Sequence, residues 1–200
     1  MGWTPLHYAV QYPDDFAQVR ALVEKGADVN DTGGGKTPLM RAIMPEFVRY
    51  LVEHGARINE KDKEGRTALS YAPKRTVEVF ISLGADVNVK DDHGMTPLMK
   101  VVGGDPLIIQ EALALGADVN AKDKMGWSPL MHAVVAFSVD SVKILIEKGA
   151  DIHARAINGQ SPLIYLKSFP SNSQYHHEIA EILKIMESVP AKPNQRKEKK

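Results

Sequence analysis

Thr4-Pro5-Leu6-His7-Tyr8-Ala9, followed about twenty residues later by Gly26-Ala27-Asp28-Val29-Asn30, decides the reading of this chain because both passages return. Gly-x-Thr/Ser-Pro/Ala-Leu recurs with its hydroxyl residue at Thr4, Thr37, Thr67, Thr96, Ser128 and Ser161, in steps of 33, 30, 29, 32 and 33 residues. Gly-Ala-Asp/Arg-Val/Ile-Asn/His recurs at Gly26, Gly55, Gly84, Gly116 and Gly149. Two markers in fixed order at one period mean stacked copies of a small unit rather than a single closed core.

Each marker has a local physical meaning. A hydroxyl residue followed by proline reads as a helix N-cap with proline at the first helical position, where a missing N–H costs nothing. Between the markers lies a second apolar-periodic stretch, whose core opens at Val19, Val48, Val77, Ile109, Val142 and Ile179. The marker glycine supplies the left-handed residue that ends this second helix. From there to the next hydroxyl residue the chain is short, polar and glycine-bearing, so it reads as a hairpin-like turn. The predicted architecture is all-α: helix-turn-helix units joined by projecting β-hairpin-like loops, near residues 2–31, 32–60, 61–89, 90–121, 122–154 and 155–187.

This pattern resembles the ankyrin repeat, whose period is about 33 residues and whose T-P-L-H-x-A signature stands literally at residues 4–9. The resemblance covers residues 2 to about 187. It implies a repeat solenoid, no catalysis, no cofactor, and contact with a partner protein through loop tips and the exposed side of the first helices. The departures are specific. Only the first unit keeps His at the fourth motif position; the others carry Met40, Ser70, Met99, Met131 and Ile164, which predicts apolar packing in place of Thr–His hydrogen bonding. Ala68 replaces proline, and Met186 stands where the sixth unit should have its glycine, as in a C-terminal cap. The first unit lacks an incoming loop arm, which reads as a cut from a longer chain, with an imperfect cap as the alternative.

Two rows of side chains are the candidate partner-binding surface. Four residues after each hydroxyl stand Tyr8, Arg41, Tyr71, Lys100, His132 and Tyr165, none aliphatic. Just before it stand Trp3, Lys36, Arg66, Met95, Trp127 and Gln160, and Met125, Trp127 and Met95 suggest one apolar patch across units four and five. Tyr, Trp and Arg are the side chains enriched at interface hot spots, so Tyr71, Trp127 and Arg41 are the expected anchors. The alternative is that these aromatics lie flat on neighbouring loops. From hydroxyl to second-helix core the spacings are 15, 11, 10, 13, 14 and 18 residues, against a usual 14 implied by the resemblance. Units two and three are short, and Pro45 and Pro73 stand where the first helix should continue, so it should stop early and leave a dent beside Arg41 and Tyr71. That dent is either a ligand notch or only a change of curvature. The sixth unit is long by four and should carry a surface loop over residues 167–175.

Composition sets the remaining bounds. The 200 residues hold 25 Lys+Arg against 25 Asp+Glu and no cysteine, which excludes disulfides, thiol nucleophiles and thiolate metal sites. The seven histidines fall at different places in the repeat, and none makes an i, i+4 ligand pair, so no metal is expected. Gly33-Gly34-Gly35-Lys36 lacks the length and preceding strand of a phosphate loop and reads as a flexible hairpin tip. No nucleophile, base and orienting group can be assembled. Residues 191–200 carry five bases and one acid, a net +4 balanced by −4 elsewhere; residues 188–200 are read as a basic, disordered, solvated tail rather than a nucleic-acid or lipid contact. With no apolar run of about 18 residues, no membrane span is expected. The expectation is a monomeric, cytoplasmic interaction scaffold. Its alternative is the substrate-recruiting or regulatory region of a larger enzyme or of a secreted effector.

Overall fold

The computed structural model describes residues 2–14, 16–170 and 173–189; the basic tail beyond Val189, Asp15 and residues 171–172 of the long loop lie outside them. Among the described residues ten α-helices follow in order: α1 (Pro5–Ala9), α2 (Phe16–Glu24), α3 (Pro45–Glu53), α4 (Lys74–Ser82), α5 (Pro97–Val101), α6 (Pro106–Ala114), α7 (Pro129–Val135), α8 (Val139–Glu147), α9 (Pro162–Lys167) and α10 (His176–Ser188). Units two and three have no α-helix in first position. They have 3-10 turns of four residues, Pro38–Arg41 and Ala68–Tyr71. No strand is present among the described residues.

The markers act as their chemistry requires. The hydroxyls of Thr37, Thr96, Ser128 and Ser161 accept the amide three residues on at 3.3–3.4 Å. Each proline or alanine that follows begins a helix or 3-10 turn. The five marker glycines have φ between +89° and +93°, where a side chain would strain the backbone. The alanine after each closes a Schellman bond to the helix, as in Ala85 N–H to the Phe80 carbonyl at 2.9 Å. All six residues named as the opening of the second-helix core are buried. Early arrest of the first helix in units two and three is observed, but Pro45 and Pro73 act at the other end: Pro45 is the first residue of α3 and Pro73 caps α4.

His7 shows what the fourth motif position does. Its Nδ1 accepts the Thr4 amide at 3.2 Å, so its Nε2 carries the proton donated to the Lys36 carbonyl at 2.8 Å, tying unit one to unit two. The methionines that replace it are not purely apolar filling: the Thr96 amide lies 3.5 Å from Met99 Sδ, a weak acceptor in the same place.

Seams between units are closed by the last marker residue. Asn30, Asn59, Asn88 and Asn120 each accept the amide of the next marker's third residue at 2.8–2.9 Å and donate to its glycine carbonyl at 2.9–3.1 Å. The core behind the seams falls into two clusters, one from Leu6 to Ala85 and one from Leu98 to Met186. Between them, where units three and four meet, lies a cavity of about 50 Å³ lined by Leu69, Ser70, Ala72, Val77, Val101 and Ala112. Ser70 stands where other units bury Met40, Met99 and Met131, so a side chain of the usual size is missing there.

Two stability predictions follow for this seam. Ser70→Met should fill the cavity and raise stability by ~1 kcal/mol in denaturant melts; an unchanged or lower midpoint would show that the cavity has no room for the side chain. Asn88→Ala should cost about 1 kcal/mol, because two solvent-reachable hydrogen bonds are replaced by water. Amide exchange should rise at Asp118, and exchange unchanged there would deny the clamp its role.

Candidate interaction surface

The hairpins place the two rows through one aspartate each. In unit three, Asp62 Oδ1 accepts the amides of Glu64 and Arg66, both at 2.9 Å, while Oδ2 accepts the Arg66 guanidinium at 3.0 Å and the Tyr71 hydroxyl. In unit four, Asp91 Oδ1 accepts the amides of His93 and Met95, and Oδ2 pairs with Lys100 Nζ at 2.7 Å. In unit five, Asp123 Oδ1 accepts the amides of Met125 and Trp127, and Oδ2 lies 2.9 Å from His132 Nε2. One carboxylate thus shapes the turn with one oxygen and pins the row residue nine positions later with the other. The signal of this pin in the sequence is the constant nine-residue offset from the hairpin aspartate to the row residue.

The electrostatics follow from this geometry. Burial by itself would raise the Asp62 carboxyl, but hydrogen bonds from Tyr71, Arg66 and the Glu64 amide hold it below the usual carboxylate range. Asp91 is lowered in the same way, its burial outweighed by Lys100 and the Met95 and His93 amides. Burial and the hydrogen bond to Asp62 push the Tyr71 hydroxyl well up, so it stays a donor.

The rows are therefore unequal in what they offer. Tyr71, Lys100 and His132 are half-buried and held by their aspartates, and Tyr165 is half-buried, edge-on to Phe169 at 5.2 Å. Tyr8 is exposed, with Trp3 5.0 Å from its ring. Arg41 has no hairpin aspartate: the equivalent residue is Thr32, and the guanidinium carbon of Arg41 stands over the Trp3 ring, 3.5 Å from its centroid. In the second row, Arg66 is held by Asp62 and Glu64. Lys36 Nζ stands 3.7 Å over the Tyr71 ring. Met95 is half-buried, and Trp127 is half-buried beside His132. The exposed apolar residues at the hairpin tips are Met125 and Ile157, joined by a bond from the Ile157 amide to the Met125 carbonyl at 2.9 Å. The apolar surface thus runs from unit five toward unit six rather than back to Met95 in unit four.

The glycine tip expected to be flexible is packed, and the long loop of unit six makes ring contacts at both ends. Gly34, at φ +68°, sits so close under Trp3 that an added Cβ would lie 2.6 Å from Nε1 of the indole, so this tip is a packed floor for Trp3. In the long sixth unit, Phe169 and Tyr175 pack on Phe137, with ring centroids 5.3 and 4.3 Å away. Among the described residues no group of three or more His, Asp or Glu side chains is placed to hold a metal, and no helix is long and apolar enough to cross a membrane.

Repeated helical pairs, hairpins pinned by a carboxylate and asparagine-closed seams define a helical repeat protein of the stacked-hairpin kind. Three family models match, described as ankyrin repeat over residues 1–33, ankyrin repeats (many copies) over 22–72 and ankyrin repeats (3 copies) over 73–156. The chain belongs to the ankyrin repeat family, whose repeats are general protein–protein interaction modules and typically non-catalytic. No curated protein matches it.

The aspartate pins carry a pH signature. Asp62 and Asp91 have folded-state pKa values below the unfolded one, so their stabilisation is present above the unfolded value, about 3.9, and is lost as pH falls through the folded values. Asp91→Asn should cost ~1–3 kcal/mol at pH 7, and the gap from wild type should close toward pH 2–3. A gap independent of pH in urea melts would mean that the charge of Asp91 is not what stabilises the turn.

Proposed function

We propose that the chain is a non-catalytic scaffold that binds a partner protein through the first-helix row and the hairpin tips. The observation that carries this reading is the aspartate pin: Tyr71, Lys100 and His132 are fixed in the free protein, so little side-chain entropy remains to be lost on binding. A surface built this way favours rigid display over induced fit. The exposed Met125 and Ile157, with half-buried Trp127 beside them, add an apolar contact of the type found at the centre of protein interfaces. The ankyrin family supports the class of activity, and the chemistry of these residues supports the place.

The test is affinity capture with crosslinking from the native source, repeated with Trp127→Ala and Tyr71→Ala proteins whose melting and circular dichroism show an intact fold. Each substitution should weaken the recovered interaction by about 2 kcal/mol, roughly thirtyfold, if these are hot spots. Undiminished capture by both folded variants would remove this surface from the binding site.

A further inference from the structure

The two shortened units leave an open pocket of about 300 Å³, lined by Gln11, Lys36, Arg41, Ile43, Tyr71 and Pro73 among others. Its two charged lining residues are both cations, and no acid lines it. Among the described residues neither Lys36 nor Arg41 has an ion pair with a carboxylate. Arg41 Nε is buried and has no hydrogen-bond partner. The acids of the adjoining hairpin, Asp62 and Glu64, are already held by Arg66, and Asp62 by Tyr71 as well. Burial lowers the Arg41 guanidinium, and burial with repulsion from Arg66 and Arg41 lowers the Lys36 ammonium, so an added negative charge would relieve both.

The rest of the molecule shows what is missing. At the row position of Arg41, Lys100 in unit four receives the Asp91 carboxylate at 2.7 Å. Asp62, Asp91 and Asp123 stand five residues before Thr67, Thr96 and Ser128; five before Thr37 stands Thr32. One turn bond is shared, the Gly35 amide donating to the Thr32 carbonyl as the Gly65 amide donates to that of Asp62, while the Lys36 carbonyl is taken by His7 Nε2 where the Arg66 carbonyl takes the Asp62 amide. Unit two therefore keeps the cation and lacks its carboxylate, beside a pocket open to solvent.

We propose that this pocket takes the carboxylate of an acidic segment in a partner protein, with Lys36 and Arg41 as its cationic walls and Ile43 and Pro73 as an apolar shelf for the neighbouring side chain. An acidic side chain supplied from outside does for Arg41 what Asp91 does for Lys100. The Arg41 guanidinium carbon stands 3.5 Å over the Trp3 ring and its Nε has no hydrogen-bond partner, and a guanidinium of this kind is matched by a planar, two-oxygen acceptor. The inference rests on reading the chain as an interaction scaffold, but concerns units one to three alone.

The test uses a fluorescein-labelled glutamate decapeptide and the whole chain, read by anisotropy, with a lysine decapeptide and free glutamate as comparators. The glutamate peptide should bind, the lysine peptide should not, and free glutamate should compete at least a hundredfold less well. Arg41→Gln and Lys36→Gln should each weaken binding tenfold or more, whereas Lys122→Gln, whose ammonium is bonded to the Arg155 carbonyl in another unit, should leave it unchanged. Thr32→Asp is the decisive variant: it restores the hairpin carboxylate, so it should abolish peptide binding while keeping or raising the melting temperature. The proposal is overturned by absence of binding, by an equal loss in Lys122→Gln, by free glutamate competing as well as the peptide, or by full binding in a folded Thr32→Asp protein. Any of these leaves the apolar Met125–Trp127–Ile157 surface standing, because Trp127→Ala, which lies outside this pocket, tests that surface by capture, a separate readout; Tyr71 lines this pocket as well and does not separate the two.

Discussion

One carboxamide per seam holds this solenoid in register. Where a second helix ends at its glycine and the chain turns outward, the glycine carbonyl and a loop amide face the preceding unit without a partner of their own. Asn30, Asn59, Asn88 and Asn120 meet both with the two ends of one short side chain. Aspartate has no donor for the carbonyl, and glutamine would hold the same pair farther from the backbone. The glycine must come first, since only a left-handed residue there aims the loop at the neighbour. The series ends at His153; in the unit that follows, α10 continues to Ser188 with Met186 buried at the glycine position.

A second device works on the hairpin side of the same stack, and its omissions are more informative than its presence. Asp62, Asp91 and Asp123 join each turn to its row residue. The two other hairpins have Thr32 and Ala156 at that place. Without the acid in unit two, a cation is left beside an open pocket. In unit six, Tyr165 turns to Phe169 instead, and the neighbouring tip residue Ile157 is 77% exposed. The features that distinguish this molecule from a uniform stack are thus gathered at units two and three and at units five and six, on either side of a well-pinned centre.

Much of this was legible in the sequence. The period, the N-caps, the glycine stops, the six core positions and the early arrest of two first helices all follow from local chemistry that each unit repeats. What was not legible depends on residues meeting across turns or between units. The aspartate pin needs a hairpin geometry that brings position nine back to position zero. The packing of Trp3 on Gly34 joins unit one to unit two, and made a rigid tip of a tri-glycine that composition describes as loose. Pro45 and Pro73 read from the sequence as breakers of the first helix, but composition does not say which helix a proline bounds; each stands at the start of the next. The missing Met at position 70 was visible as a Ser, yet only the neighbouring unit shows that nothing else fills the space.

The shortened spacings connect these observations. Removing three or four residues between the hydroxyl and the second-helix core leaves too little chain for an α-helical turn and a loop, so the first element contracts to a 3-10 turn and the second helix begins at once. A 3-10 turn of four residues presents fewer side chains to its neighbours than the helix it replaces. On the core side the deficit is the cavity behind Ser70, and on the open side it is the pocket beside Arg41. The two voids have opposite chemistry because they face opposite surroundings: the inner one is walled by aliphatic side chains, while the outer one is walled by the row and hairpin cations. The inner void lowers stability at the junction of the two core clusters. The outer one leaves Lys36 and Arg41 without the carboxylate that the same repeat supplies to Lys100. A chain that keeps the asparagine clamp across this weakened junction retains its register there, and the site that the contraction opens is held in place by the seams on both sides of it.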